Sequence, residues 1–141
     1  MKLVITQPGG DIQKAFRQYS ELLSSVEGSL KRKGKKFMWS SKYGYLTSSP
    51  HNVGTGLEVQ VNVLLPKLSK DPRFKRIIDV LPVKLEQGDH TQSEDVLCIS
   101  NKHKLQFTEV DVVQQVINSV TLLLELDKRI QRGQNILDLL P

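Results

Sequence analysis

Cysteine is nearly missing from this chain, and its scarcity removes several classes of function at once. Cys98 is the only one in 141 residues, so no internal disulfide can form and no cysteine-based metal site can be built. The three histidines, His51, His90 and His103, stand at no ligand spacing, and no metal is expected. No apolar run approaches the roughly 20 residues that a membrane-spanning helix needs. Met1 to Ile5 is too short, and too soon followed by Pro8-Gly9-Gly10, to be a signal peptide. An intracellular, cytoplasmic setting with no membrane contact is the resulting expectation. Internal repeats, low-complexity tracts and linker-like stretches are absent too. A chain of 141 residues is long enough for one domain with a real core and too short for two ordinary ones.

The hydrophobic share of 38% and the charged share of 25% are those of a globular protein. The net charge is a modest +5, but Lys31, Arg32, Lys33, Lys35 and Lys36 place five cations within six residues. Such a cluster suits phosphate backbones or anionic lipid. It equally suits the solvated end of a helix, where cations complement the macrodipole, and this is the reading we favour. Nucleic acid is not expected as a partner, because no aromatic residue interleaves the run.

The stretch from Phe37 to Leu65 organises the rest. It reads strand, turn, strand, irregular loop, strand, with Asn52, Gly54, Thr55 and Gly56 in the loop. In the last strand Leu57, Val59, Val61 and Val63 alternate with Glu58, Gln60 and Asn62, which puts the apolar set on one face. Glycines in the loop allow positive φ and close backbone approach, so its N–H groups could form an anion nest. An ordinary strand connection explains the same residues and is the simpler reading.

Elsewhere, Lys2 to Thr6 is expected to be a short strand, stopped by Pro8-Gly9-Gly10. Asp11 suits a helix N-cap, and Ile12, Ala15, Phe16, Tyr19, Leu22, Leu23, Val26 and Leu30 then recur at helical spacing to about Gly34. That stripe is expected to pack into the core. Asp71-Pro72 opens a second helix with Phe74, Ile77, Ile78 and Leu81 as its buried face, and Pro82 ends it. Val83 to Leu85 and Val96 to Ser100 read as strands around a polar loop, Glu86 to Glu94. Thr108 with Asp111 fits a capping box for a long helix carrying Val112, Val113, Val116, Ile117, Val120, Leu123, Leu124 and Ile130, stopped at Gly133. Asn135 to Leu140 is a terminal turn expected to dock on the domain. This order predicts an α+β fold, a mostly antiparallel sheet with helices on one face.

The segment FMWSSKYGYLTSSPHNVGTGLEVQVNVLLPKLSKDPRF resembles the heart of the phosphagen (ATP:guanidino) kinases, the creatine and arginine kinases. Their pattern there is FMW, GY, C-P-x-N-L-G-T-G-L-R, an alternating strand and LPxLS. The similarity continues through GDHTQSE, through ISNK at Ile99 to Lys102, and into GQNILDLLP. The resemblance implies the second half of that family's glutamine synthetase-like catalytic domain, with residues 1–141 as one partial domain. Sequence that precedes the first strand in the family, and its small N-terminal domain, have no counterpart before Met1.

Family chemistry is in-line phosphoryl transfer to a guanidinium, in which arginines and magnesium neutralise phosphates and carboxylates hold the guanidinium. Position by position, the resemblance implies that this charge logic is gone. The reactive cysteine matches Ser49, whose hydroxyl supplies no thiolate. The phosphate-clamping arginine matches Glu58; at about 4 Å and an effective dielectric of about 20, that reversal implies repulsion on the order of 4 kcal/mol. A histidine near the adenine matches Asn62, and an aspartate near the nucleotide matches Cys98. Lys84 and Lys2 stand for arginines, and Asp89 stands for the substrate-binding glutamate, keeping charge but not geometry. Kept instead are residues with structural readings, expected to shape turns and fill the core: Trp39, Gly44, Tyr45, Pro50, Asn52, Gly54, Thr55, Gly56, Pro66 and Ser69.

The expected function is therefore that of a non-catalytic, phosphagen kinase-like module, binding another protein or other domains of the same polypeptide. No cofactor is expected. The alternatives are a remnant nucleotide site, with Lys2, Gly54, Thr55, Gly56 and Lys84 holding Mg-ATP or ADP, and a guanidino phosphotransferase completed by sequence outside this chain. An uncovered sheet edge would also permit a homodimer.

Overall fold

A computed structural model describes residues 1–86 and 95–139. Among the described residues three helices and five strands follow in order as α1 (Ile12–Arg32), β1 (Trp39–Ser40), β2 (Gly44–Tyr45), β3 (Gln60–Leu64), α2 (Phe74–Val80), β4 (Val83–Glu86), β5 (Val96–Asn101) and α3 (Glu109–Gln131). Two short 3-10 turns, Pro50–Asn52 and Leu68–Lys70, lie on either side of β3. The sheet is antiparallel with order β3-β5-β4, and β1 pairs with β2 in a separate ribbon. The expected mixture of helices and antiparallel sheet is what forms.

Helices α2 and α3 cover one face of the sheet. Val63, Val83 and Ile99 from the strands meet Phe74, Ile77 and Ile78 of α2 and Val116, Leu123 and Leu126 of α3. Alternation along β3 works as read: Val63 is buried while Gln60, Asn62 and Leu64 face out. At α3 the capping box is complete, with Thr108 Oγ1 accepting from Asp111 N at 3.1 Å and Asp111 Oδ2 accepting from Thr108 N at 3.0 Å. Gly133 ends the helix at φ +68°. The terminal turn docks through Ile136, which is fully buried, and through an Arg129 to Asp138 ion pair.

Several expectations are corrected. Lys2 to Thr6 is not a strand: no described strand pairs with it, and Val4 is left to solvent. A short β-prone run such as Leu3-Val4-Ile5 makes a strand only where a neighbour takes up its backbone groups, and among the described residues none is offered. No residue of α1 is fully buried, because the helix lies along α3 instead of on the sheet. Only Ile12, Phe16 and Tyr19 reach a small second cluster around Leu57, Val112 and Val113. Trp39 does not fill the core; it is 62% exposed on the ribbon. Leu124 is partly exposed, whereas Leu126 and Asp127, unmarked by the periodicity, are buried. Glu86 belongs to β4, opposite Cys98, and residues 87–94 of the expected loop lie outside the described residues. Among the described residues no helix is long and apolar enough to cross a membrane.

Candidate functional site

The outer face of the sheet collects Asn62, Lys84 and Cys98 of the positions singled out by sequence, with Glu58 at its margin. Register places Gln60, Ser100 and Lys84 in one cross-strand row and Asn62, Cys98 and Glu86 in the next. Glu58 stands just before β3, beside the loop of residues 50–56. Lys2 lies in the unpaired N-terminal segment, and Asp89 is outside the described residues.

Charges on this face are closed on one another. Glu58 Oε2 accepts from Lys104 Nζ at 2.9 Å, and its Oε1 accepts from Gln60 Nε2 at 2.7 Å. The same ammonium donates to Asn52 Oδ1 at 2.8 Å, and the Lys104 side chain is only 11% exposed. Lys84 pairs with Glu86, whose carboxylate also accepts from Ser100 Oγ at 2.8 Å. Two carboxylates and two ammonium groups therefore balance. Lys104 stands directly against Glu58 and offsets its charge.

Proton affinities follow the same contacts. The Lys104 ammonium holds the Glu58 carboxyl below its ordinary value, and Lys84, with help from Ser100, does the same to Glu86. Burial, with Glu86 and Glu58 nearby, pushes the Cys98 thiol up, so it is a poor nucleophile. A carboxyl whose folded value is depressed contributes stability present above the unfolded value and lost as pH falls through the folded one. The Glu58 pair is accordingly expected to persist at neutral pH and to open only below the ordinary 4.5. In a carboxyl NMR titration Glu58 should titrate below that value, and Lys104→Met should return it upward. An unchanged midpoint in the variant would remove the pair.

The glycine loop is committed to structure. Gly54 N donates to Tyr45 O at 3.2 Å and Thr55 N to Lys104 O at 2.8 Å, so two of the three N–H groups of a nest are taken. Thr55 is buried, with its Oγ1 accepting from Leu57 N. Ser49 precedes the 3-10 turn without a side-chain cap, while its carbonyl accepts from Thr47 Oγ1 at 2.6 Å and Asn52 N at 3.0 Å. A shallow depression of about 440 Å³ beside the loop is lined by Pro50, His51, Val53 and residues 102–105. Both lysines on its wall donate inside the fold. Lys102 Nζ bonds three carbonyls at the end of α2, those of Ile78, Asp79 and Leu81, at 2.8–3.0 Å.

Two residues central to this arrangement were given no role from sequence. Lys104 carries no motif of its own; the signal available was that a carboxylate at position 58 calls for a cation close by. Asn101 is buried and clamps the entry to β3, accepting from Val59 N at 2.8 Å and donating to Leu57 O and His103 O.

Comparison with known proteins agrees with the fold. The family model described as ATP:guanido phosphotransferase, C-terminal catalytic domain, matches residues 1–130. Lombricine kinase of Eisenia fetida is 38% identical over 146 residues, covering all of this chain and 39% of its own. Creatine kinase M-type of Gallus gallus is 35% identical over 145 residues, again covering all of this chain and 38% of its own. The crystal structure of lombricine kinase superposes with a TM-score of 0.90 at 35% identity, over 96% of this chain and 38% of that one. The substrate-free duplicated taurocyamine kinase of Schistosoma mansoni gives 0.78 at 27% identity, over 89% of this chain and 18% of that one. The chain thus spans less than two-fifths of the length of these relatives.

Proposed function

The chain belongs to the ATP:guanido phosphotransferase family, as a counterpart of its C-terminal catalytic domain, and from that premise we propose that it is a catalytically silent member serving as a protein-interaction or structural module. The observation that carries this reading is the balanced sheet face. Where the family resemblance calls for an arginine on phosphate, Glu58 is locked to Lys104, and Lys84 is turned onto Glu86. Phosphoryl transfer depends on preorganised positive charge, and neutral self-paired groups would have to be pulled apart to provide it. The module acts as one partial domain, beside other domains of a longer polypeptide, a separate protein or a second copy. It needs no cofactor.

Calorimetric titration with magnesium ADP, alone and with creatine, arginine, lombricine or taurocyamine, tests the reading alongside a phosphoryl-transfer assay. No heat up to millimolar nucleotide and no transfer are expected. Turnover with any of the four would end it.

A second reading is favoured by one contact: because Lys104 offsets Glu58, a remnant nucleotide site is less repulsive than the substitution alone implies. Its ligand would be Mg-ATP or ADP, and sequence beyond this chain would have to complete any transfer. Glu58→Arg frees Lys104 and makes the face strongly positive. If the remainder of the site is intact, affinity for ADP should rise at least about tenfold, roughly 1.4 kcal/mol. A variant that still binds nothing at millimolar ADP would dispose of the remnant site.

A further inference from the structure

Charge along this chain is concentrated in one place. From Gly28 to Leu57 there are six lysines or arginines and no carboxylate, while the remaining residues carry fourteen cations against fifteen carboxylates. The six run from the last turn of α1, round the turn at Gly34, to Lys42 in the β1-β2 ribbon. Among the described residues none of them is paired with a carboxylate; Arg32 holds Ser29 Oγ and Lys42 lies 5.0 Å over the Tyr43 ring.

The ribbon in their midst is firmly held yet apolar on its outside. Tyr45 donates to Glu27 Oε1 at 3.2 Å, and its ring meets Phe37 edge-on at 6.1 Å, which fixes the ribbon to α1. Met38 and Trp39 are nevertheless 68% and 62% exposed. Tyr45 exchanges two hydrogen bonds with Gly54, so the far side of β2 is occupied. Among the described residues β1 is left as the open edge.

We propose that this edge, with the basic segment around it, docks an extended acidic polypeptide segment whose apolar residues alternate with carboxylates. This inference rests on the interaction-module reading and names the chemistry of the partner. An open edge offers backbone pairing to any extended chain, and flanking lysines repel basic ones. An acidic strand is the one that gains from both, because its carboxylates meet the cations while its apolar side chains cover Trp39. An anionic bilayer fits less well, because lipid offers the edge no regular backbone partner.

Trp39 is the only tryptophan, so its emission reports on the surface directly. The probe is a ten-residue peptide alternating Glu and Val, titrated into the full chain at low ionic strength. A saturable blue shift is expected, weakened at least tenfold in Lys33→Glu/Lys35→Glu/Lys36→Glu and unmoved in Met38→Ser, whose side chain stands on the opposite face of the strand, each with an unchanged far-ultraviolet circular dichroism spectrum. A control peptide with proline at alternate Val positions, unable to pair, should not bind. Binding of that control as tightly, or indifference to the triple lysine substitution, would overturn edge docking. So would a larger shift with phosphatidylserine vesicles or oligo-dT, or a shift on concentration alone accompanied by dimer in sedimentation. Nucleotide titration reads the β3-β5-β4 face instead. Turnover together with peptide binding would therefore end the silent-enzyme reading and leave this surface, whereas no shift in a chain without turnover would end only the docking proposal.

Discussion

Gly54→Ala is expected to destroy the native arrangement of the loop, with a loss of stability above about 4 kcal/mol, a size reached only by severe clashes or buried orphan groups. A Cβ at position 54 would stand 2.1 Å from Lys104 O, 2.6 Å from Lys104 C and 2.9 Å from Leu105 Cα. All three are backbone atoms. They cannot swing aside as a side chain would, because Thr55 N holds Lys104 O at 2.8 Å. The backbone at Gly54 has φ +116°, itself disfavoured for any residue with a side chain. Relief would require residues 102–105 to part from the loop, taking the Lys104 bonds to Asn52 and Glu58 with them. Gly56→Ala is the matched control: φ is +63°, but the nearest atom to its added Cβ lies at 3.7 Å. It should lose only the left-handed strain, about 1–2 kcal/mol. Urea unfolding of both variants separates the terms; equal midpoints would mean that close approach is not what fixes glycine at position 54.

That loop bears on how the outer face should be understood. Taken singly, Glu58 is a reversed charge, and position-by-position comparison makes it a source of repulsion. In the fold it is half of a pair, and Lys104 comes from a segment 46 residues further on. Lys84 and Glu86 make the second pair within β4. Both are partly exposed, so neither adds much stability. What they do is offset one another's charge on that face.

Much of the fold was legible because the deciding forces were local. The alternation of β3, the capping box at Thr108, the stop at Gly133 and the buried face of α2 each depend on residues within a turn or two of one another. The misses share the opposite property. Lys2 to Thr6 has strand-like residues, but pairing depends on a distant edge. The stripe on α1 is genuinely amphipathic, yet what it covers is decided by where α3 passes. Trp39 reads as core by residue type, yet it lies on a two-residue strand of the ribbon and is 62% exposed. At the candidate site the rows of residues could be anticipated from β3 and the family resemblance, while the partners of Glu58 could not, since no pattern connects positions 52, 58 and 104.

Asp127 is the strongest case of a long-range demand, and Asp127→Ala is expected to be the most damaging polar substitution in the core. A carboxylate near the C-terminal end of a helix faces the negative end of the macrodipole, so by position it is unfavourable. It is nonetheless 3% exposed. Its Oδ1 accepts from Lys67 N at 2.9 Å and from Leu68 N at 2.7 Å, satisfying the first donors of the 3-10 turn Leu68–Lys70, while Oδ2 accepts from Gln131 Nε2. These bonds tie the end of β3 to α3 and seat Leu68, which is fully buried. Removing the carboxylate strands two backbone donors, each worth about 1–3 kcal/mol when buried. Because Lys67 N keeps some access to water, the sum should be about 3 kcal/mol, or about 10 °C in melting temperature for a chain of this size. Asp127→Asn keeps an acceptor oxygen at the same place and should recover about half of the loss, since bonds to a charged acceptor are roughly twice as strong as neutral ones. Thermal unfolding of the two variants checks the ranking. If Asp127→Ala melts within a degree or two of the parent chain, water has replaced the carboxylate and the connection is held by Leu68 packing alone.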